Sequence, residues 1–151
     1  MPHMDAASQR PGTATAFDAI ACLQANGIRV TEPRRCIAEL LLGSPQHRSA
    51  EQVTESLRRG GIRISKATVY NTLNLFASRG LLRELAVDPR RSWYDSNTNG
   101  HYHFHDVASG ELSDVAVPDV QFARLPLPPP GMEVESIEVV IRVRPKGGAG
   151  R

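Results

Sequence analysis

A chain of 151 residues, 40% hydrophobic and 23% charged, has the length for one compact domain or two small interdependent ones, and the composition of a globular rather than a disordered protein. No apolar run approaches the ~20 residues that cross a bilayer, and no basic segment followed by an apolar stretch opens the chain. With only two cysteines, Cys22 and Cys36, a disulfide framework is excluded too, and a reducing cytoplasm is expected.

The net charge of +2 conceals an asymmetry along the chain. Residues 29–91 carry 12 basic and 6 acidic side chains, a net +6, whereas residues 92–141 carry 8 acidic side chains against Arg124 alone, a net −7. A basic half joined to an acidic half suits a polyanion-binding unit coupled to one that binds cations or assembles.

In chain order, residues 1–14 are Pro-, Gly- and Ala-rich without periodicity and read as a disordered arm. Four helices are then expected. The first spans Thr15 to Asn26, with Phe17, Ile20 and Leu23 on its apolar side and Gly27 as its stop. The second opens at Thr31, tolerates Pro33 in its first turn, and carries Ile37, Leu40 and Leu41. Ser49 and Gln52 form a capping box for the third, whose Val53 and Leu57 face inward before Gly60-Gly61. The fourth runs from Ser65 to Arg79, with Val69, Leu73 and Phe76 on one face and Lys66, Tyr70, Asn71, Asn74 and Ser78 on the other.

After Gly80 the period changes to two. Leu81 to Val87 and Arg91 to Ser96 read as strands around the turn Asp88-Pro89-Arg90, so residues 15–96 have the pattern of a winged helix-turn-helix. Residues 97–145 read as a small antiparallel sheet domain. His101 to Val107 and Glu111 to Val117 flank Ser109-Gly110, four prolines between Asp119 and Gly131 disfavour a helix, and Ile137, Val139, Ile141 and Val143 form the apolar face of a last strand. Some 50 residues bury little core alone, which calls for a dimer. A disordered tail is expected at residues 146–151. The class is α+β.

The fourth helix has what groove reading requires. Asn71 can pair with adenine in bidentate fashion, Lys66 and Arg91 can hold phosphates, and Ser65 at the helix start leaves backbone N–H groups free for another. Any amphipathic surface helix shares part of this pattern; the basic hairpin that follows favours DNA. The segments Thr31-Glu32-Pro33-Arg34-Arg35, His47-Arg48-Ser49-Ala50-Glu51, Ala67-Thr68-Val69-Tyr70-Asn71-Thr72-Leu73 and Gly80-Leu81-Leu82, with the later His-rich strand, resemble in order and spacing the ferric uptake regulator family. The resemblance covers residues 17–144. It implies that Tyr70 and its neighbours Thr68 and Asn71 enter the major groove of a palindromic operator. Asn71, where many members carry Arg, and the Pro-rich stretch before the last strand are similar to the iron-response regulator branch.

His101-Tyr102-His103-Phe104-His105 places three imidazoles on one strand face. Same-face neighbours lie about 7 Å apart, so two can meet one ion and the third requires a bulge. Asp95, Asp106 and Asp114 are the nearby carboxylates. The resemblance implies a sensory site of His47, Asp95, His101, His103 and Asp114, holding one divalent ion per subunit (Fe²⁺, Mn²⁺ or Zn²⁺), with haem as another signal of that branch. Family members with paired Cys-x-x-Cys motifs hold a structural zinc, but the matching positions here are Asp106 and Ser109, so no Cys₄ zinc is expected. Neither Cys22 nor Cys36 precedes a proline, as a haem motif would need. Cys36 on the second helix reads as a buried thiol. The competing readings are a small metal-dependent enzyme using the histidine strand, which leaves the basic winged helix unexplained, and a regulator whose sensory site has decayed.

Overall fold

The computed structural model describes residues 16–147. The arm expected at residues 1–14 lies outside the described residues, as do residues 148–151 of the expected tail. Helix α1 (Ala19–Ala25) starts after Asp18, whose carboxylate accepts the Ala21 N–H at 3.0 Å. It is shorter than expected and turned differently: Ala19 and Leu23 are buried, while Phe17 and Ile20 are exposed. Phe17 instead lies against Gly43, where any Cβ would sit 3.5 Å from its own. Gly27 takes φ +67°, the left-handed stop that only glycine adopts freely.

Helix α2 (Glu32–Leu41) is capped by Thr31 and buries Cys36, Ile37, Ala38 and Leu41. A strand follows that periodicity could not reveal, β1 (His47–Ser49), because three residues are too few to show a period. Its last residue then caps α3 (Ala50–Arg59) through the full Ser49–Gln52 capping box. Helix α4 (Lys66–Ser78) buries Val69, Thr72, Leu73 and Phe76 against α2 and α3. Strands β2 (Arg83–Asp88) and β3 (Arg91–Asp95) make the wing, and β1 adds to its far side in the order β1-β3-β2, all antiparallel.

The second sheet contains β4 (Tyr102–Asp106), β5 (Leu112–Val115) and β6 (Val140–Val143), with β4 in the middle. The β4–β5 hairpin is antiparallel and turns through Gly110 at φ +80°; β6 runs parallel to β4, so this sheet is mixed. Between β5 and β6 only a 3₁₀ turn, Val117–Asp119, is regular, in keeping with the prolines. The two sheets share a small core of Leu85, Val87, Trp93 and Leu112, with Val140 packed on it. The last strand therefore turns Val140 inward and leaves Ile141 and Val143 exposed, the reverse of the sidedness expected from alternation. The wing already covers the inner face, and the richer apolar face stays open.

Candidate metal centre and nucleic-acid interface

Each sheet contributes a register pair to one point. Across β1 and β3, His47 lies opposite Asp95. Across β4 and β5, His103 lies opposite Asp114. His101, one residue before β4, completes the group. The Asp95 Oδ2 atom meets His101 Nε2 at 2.7 Å and His103 Nε2 at 3.0 Å, and Asp114 Oδ1 lies 3.3 Å and 3.7 Å from the same two nitrogens. One donor atom from each of Asp95, His101, His103 and Asp114 falls within 4.8 Å of every other. His47 stands at the edge, its Nε2 3.4 Å from Asp114 Oδ1.

The surroundings prepare these atoms for a cation. Asp95 is only 1% exposed, and burial pushes its carboxyl up; hydrogen bonds from His103 and the Asn97 N–H, with the charge of His101, outweigh that and hold it below the usual range. Burial likewise pushes His101 down, but the Asn99 carbonyl and the Asp95 and Asp114 carboxylates bring it above its ordinary value. His101 Nδ1 donates to Asn99 O at 2.7 Å, a bond that fixes the ring and leaves Nε2 as the ligating atom once it is deprotonated. Imidazoles with carboxylates suit Fe²⁺, Mn²⁺ or Zn²⁺, and two buried carboxylate–imidazole contacts sharing one oxygen fit a site built to hold a cation. The hydrogen bonds of Gln46 with Ser96 (Gln46 N to Ser96 Oγ, 3.0 Å; Ser96 N to Gln46 O, 2.9 Å) clamp β1 beside β3 and hold His47 in register.

His105 stands apart from the group. Its Nδ1 accepts from Nη1 of Arg142, its register partner on β6, at 2.8 Å. Asp106, at the position of a family thiolate, accepts the Ala108 N–H at 2.8 Å and caps the β4–β5 turn. Both cysteines are free; Cys36 is buried, and burial pushes its thiol up.

On α4, Ser65 Oγ accepts the Thr68 N–H at 3.2 Å and caps the helix. Lys66 and Asn71 are exposed, and Asn71 and Thr68 line a shallow hollow with Thr31 and Arg34 of α2. Tyr70 is not free. Its hydroxyl donates to Glu51 Oε1 at 3.0 Å, so a phosphate or base acceptor must displace Glu51 to receive that proton. Arg91 is exposed at the start of β3, with its Nη1 near Gly110 of the β4–β5 turn. Sequence reasoning missed Glu51, whose pairing with Tyr70 spans 19 residues and carries no local signal, and it missed Arg142.

The ferric uptake regulator family model matches residues 25–141. The chain is 33% identical over 103 residues to the peroxide-responsive repressor PerR of Staphylococcus saprophyticus, covering 68% of this chain and 70% of that protein. Its fold is similar to the ferric uptake regulator of Pseudomonas aeruginosa with manganese (TM-score 0.64, 26% identity, 86% of this chain and 99% of the other). It is also similar to that of Francisella tularensis with iron (TM-score 0.64, 26% identity, 80% of this chain and 93% of the other).

Proposed function

The chain belongs to the ferric uptake regulator family, and from that premise we propose that it is a homodimeric regulator of iron-related genes whose operator affinity is set by one divalent ion per subunit. It is a DNA-binding transcription regulator and not an enzyme. The observation that carries the proposal is the convergence of two wing-sheet residues, His47 and Asp95, with three second-sheet residues, His101, His103 and Asp114. A bound ion supplies a single positive centre for donors that otherwise share protons. Ligation by residues of both sheets ties the groove-reading unit to the sheet domain, and so sets the separation of two α4 helices in a dimer.

Fe²⁺ and Mn²⁺ are the preferred occupants, because the donor set is oxygen- and nitrogen-based and the similar structures are described with manganese and with iron. Haem, the other signal that the resemblance implies, is the alternative to a divalent ion at the histidine strand. Asn71 and the Pro-rich segment support the iron-response branch. The dimer is supported by the open apolar surface of Phe122, Leu125, Leu127, Ile137, Ile141 and Val143. No helix among the described residues is long and apolar enough to cross a membrane; we place the protein in the cytoplasm.

The test is duplex binding followed by fluorescence anisotropy while Fe²⁺ or Mn²⁺ is titrated without oxygen, then chelated. Couplings of this kind change affinity by about 5- to 150-fold, and a flat response would leave only a metal-independent regulator. At the groove, Asn71→Ala is expected to cost about 1–3 kcal/mol at one operator position and relax the base preference there. An equal loss on every sequence would reduce Asn71 to a backbone contact.

A further inference from the structure

The wing turn and the second sheet enclose a cleft of about 520 Å³ whose lining includes Asp88, Arg90, Arg91, His105, Gly110 and Arg142, within the size range of small-molecule sites. Its floor is β4, the middle strand of the second sheet. His105 is 5% exposed there, and its Nδ1 accepts from Arg142 Nη1 at 2.8 Å. With Nδ1 acting as acceptor, the proton of the neutral ring sits on Nε2. That Nε2–H is buried, and no group among the described residues accepts from it. Buried donors are rarely left so.

Charge points the same way. Three guanidinium groups meet one carboxylate, and Asp88 is already occupied by Arg90, accepting its backbone N–H at 2.9 Å and its Nε–H at 3.5 Å. Arg142 is held in place from two sides, since its Nη2 also donates to Val87 O of the wing at 3.0 Å. The guanidinium of Arg91 has no protein acceptor among the described residues and lies beside Gly110, where a Cβ would stand 3.6 Å from its Nη1. Two positive charges are left over in the cleft, beside a histidine whose Nδ1 is already held by Arg142.

We infer that this cleft binds a small dianionic oxyanion, a phosphate or the phosphate group of a small ester. Fork-shaped guanidinium donors recognise such groups by paired, charge-assisted hydrogen bonds. A phosphate of the operator backbone offers related chemistry, and the duplex-binding measurement separates it from a free anion. An anion held there ties the wing turn to the β4–β5 turn, at the opposite end of the inter-sheet core from the metal cage. None of this depends on which ion or operator the protein recognises.

The experiment is calorimetric titration of the full chain with inorganic phosphate at constant ionic strength, with chloride as the balancing anion. Saturable binding is expected, weakened about tenfold or more in Arg142→Gln and in Arg91→Gln, the two charges left over. Arg91 is exposed at the start of β3, so its variant guards against misfolding of the first. Phosphate binding no better than chloride, or unchanged in both variants, overturns the inference. The salt dependence of duplex binding by Arg142→Gln is expected to equal that of the unaltered chain. A slope lower by about one unit would assign the cleft to a DNA phosphate and overturn it as well.

Discussion

Replacing His103 by alanine is expected to abolish metal-dependent operator binding while leaving the metal-free fold intact. His103 is the register partner of Asp114 and shares Asp95 Oδ2 with His101, so its removal opens the middle of the cage rather than its edge. Losing a mere supporting residue of a metal site typically costs about 10–100-fold in affinity; losing a ligand should cost at least about 100-fold. The effect is visible in stability as well as in DNA binding. An ion present at 100 times its dissociation constant stabilises the folded chain by about 2.7 kcal/mol, worth roughly 8 °C in melting temperature for a protein of this size. That increment should be present in the unaltered chain and absent from the variant, with matching circular dichroism spectra before metal is added. A variant that still gains the increment would refute the cage. His47→Ala should lose less, because its one ion-pair contact among the described residues is with the half-exposed Asp114.

The difference between His103 and His47 also marks where the sequence is readable. That two adjacent histidines of the strand can meet one ion follows from alternation and same-face spacing, whereas the choice of His101 and His103 over His105 came from the family resemblance. The approach of His47 does not follow from any local pattern. It depends on β1, three residues long, and on Gln46–Ser96 hydrogen bonds across 50 residues; only the family resemblance pointed to it. Helix boundaries with side-chain caps were legible for the same reason as the histidine pair, since Ser49–Gln52 and Ser65–Thr68 act over three residues. Failures of legibility fell where burial depends on a distant partner. Alternation in the last strand revealed two faces but not which one the wing would cover. For α1, the larger Phe17 and Ile20 suggested the buried side, yet the Asp18 cap sets a phase that turns Ala19 and Leu23 inward. Nothing in the alternation of the last strand marks Arg142, and only the packing of β6 beside β4 brings it to His105.

The other large effect is expected on the hidden face of α4. Phe76 is fully buried and packs with Leu73, Val69 and residues of α2 and α3, while its carbonyl accepts the Leu81 N–H at 3.0 Å as the helix closes. Phe76→Ala should therefore cost about 3–5 kcal/mol, the transfer term plus the cavity left by a ring whose neighbours are anchored on three helices. Against a total of about 5–15 kcal/mol for a domain, that loss lowers the melting temperature by roughly 10 °C or more. Lys66→Ala, on the exposed face of the same helix, should change stability by less than about 0.5 kcal/mol and instead reduce the salt dependence of operator binding. Denaturant titration of the two variants, with anisotropy measured at low temperature where both remain folded, separates the roles. If Phe76→Ala were as stable as the unaltered chain, α4 would not be the helix that the core holds against α2 and α3, and the placement of its polar face toward DNA would lose its foundation. If both variants lost operator affinity without any change in stability, the division of α4 into a packing face and a reading face would fail, because a fully buried ring can reach the groove only by disturbing the core that positions the helix.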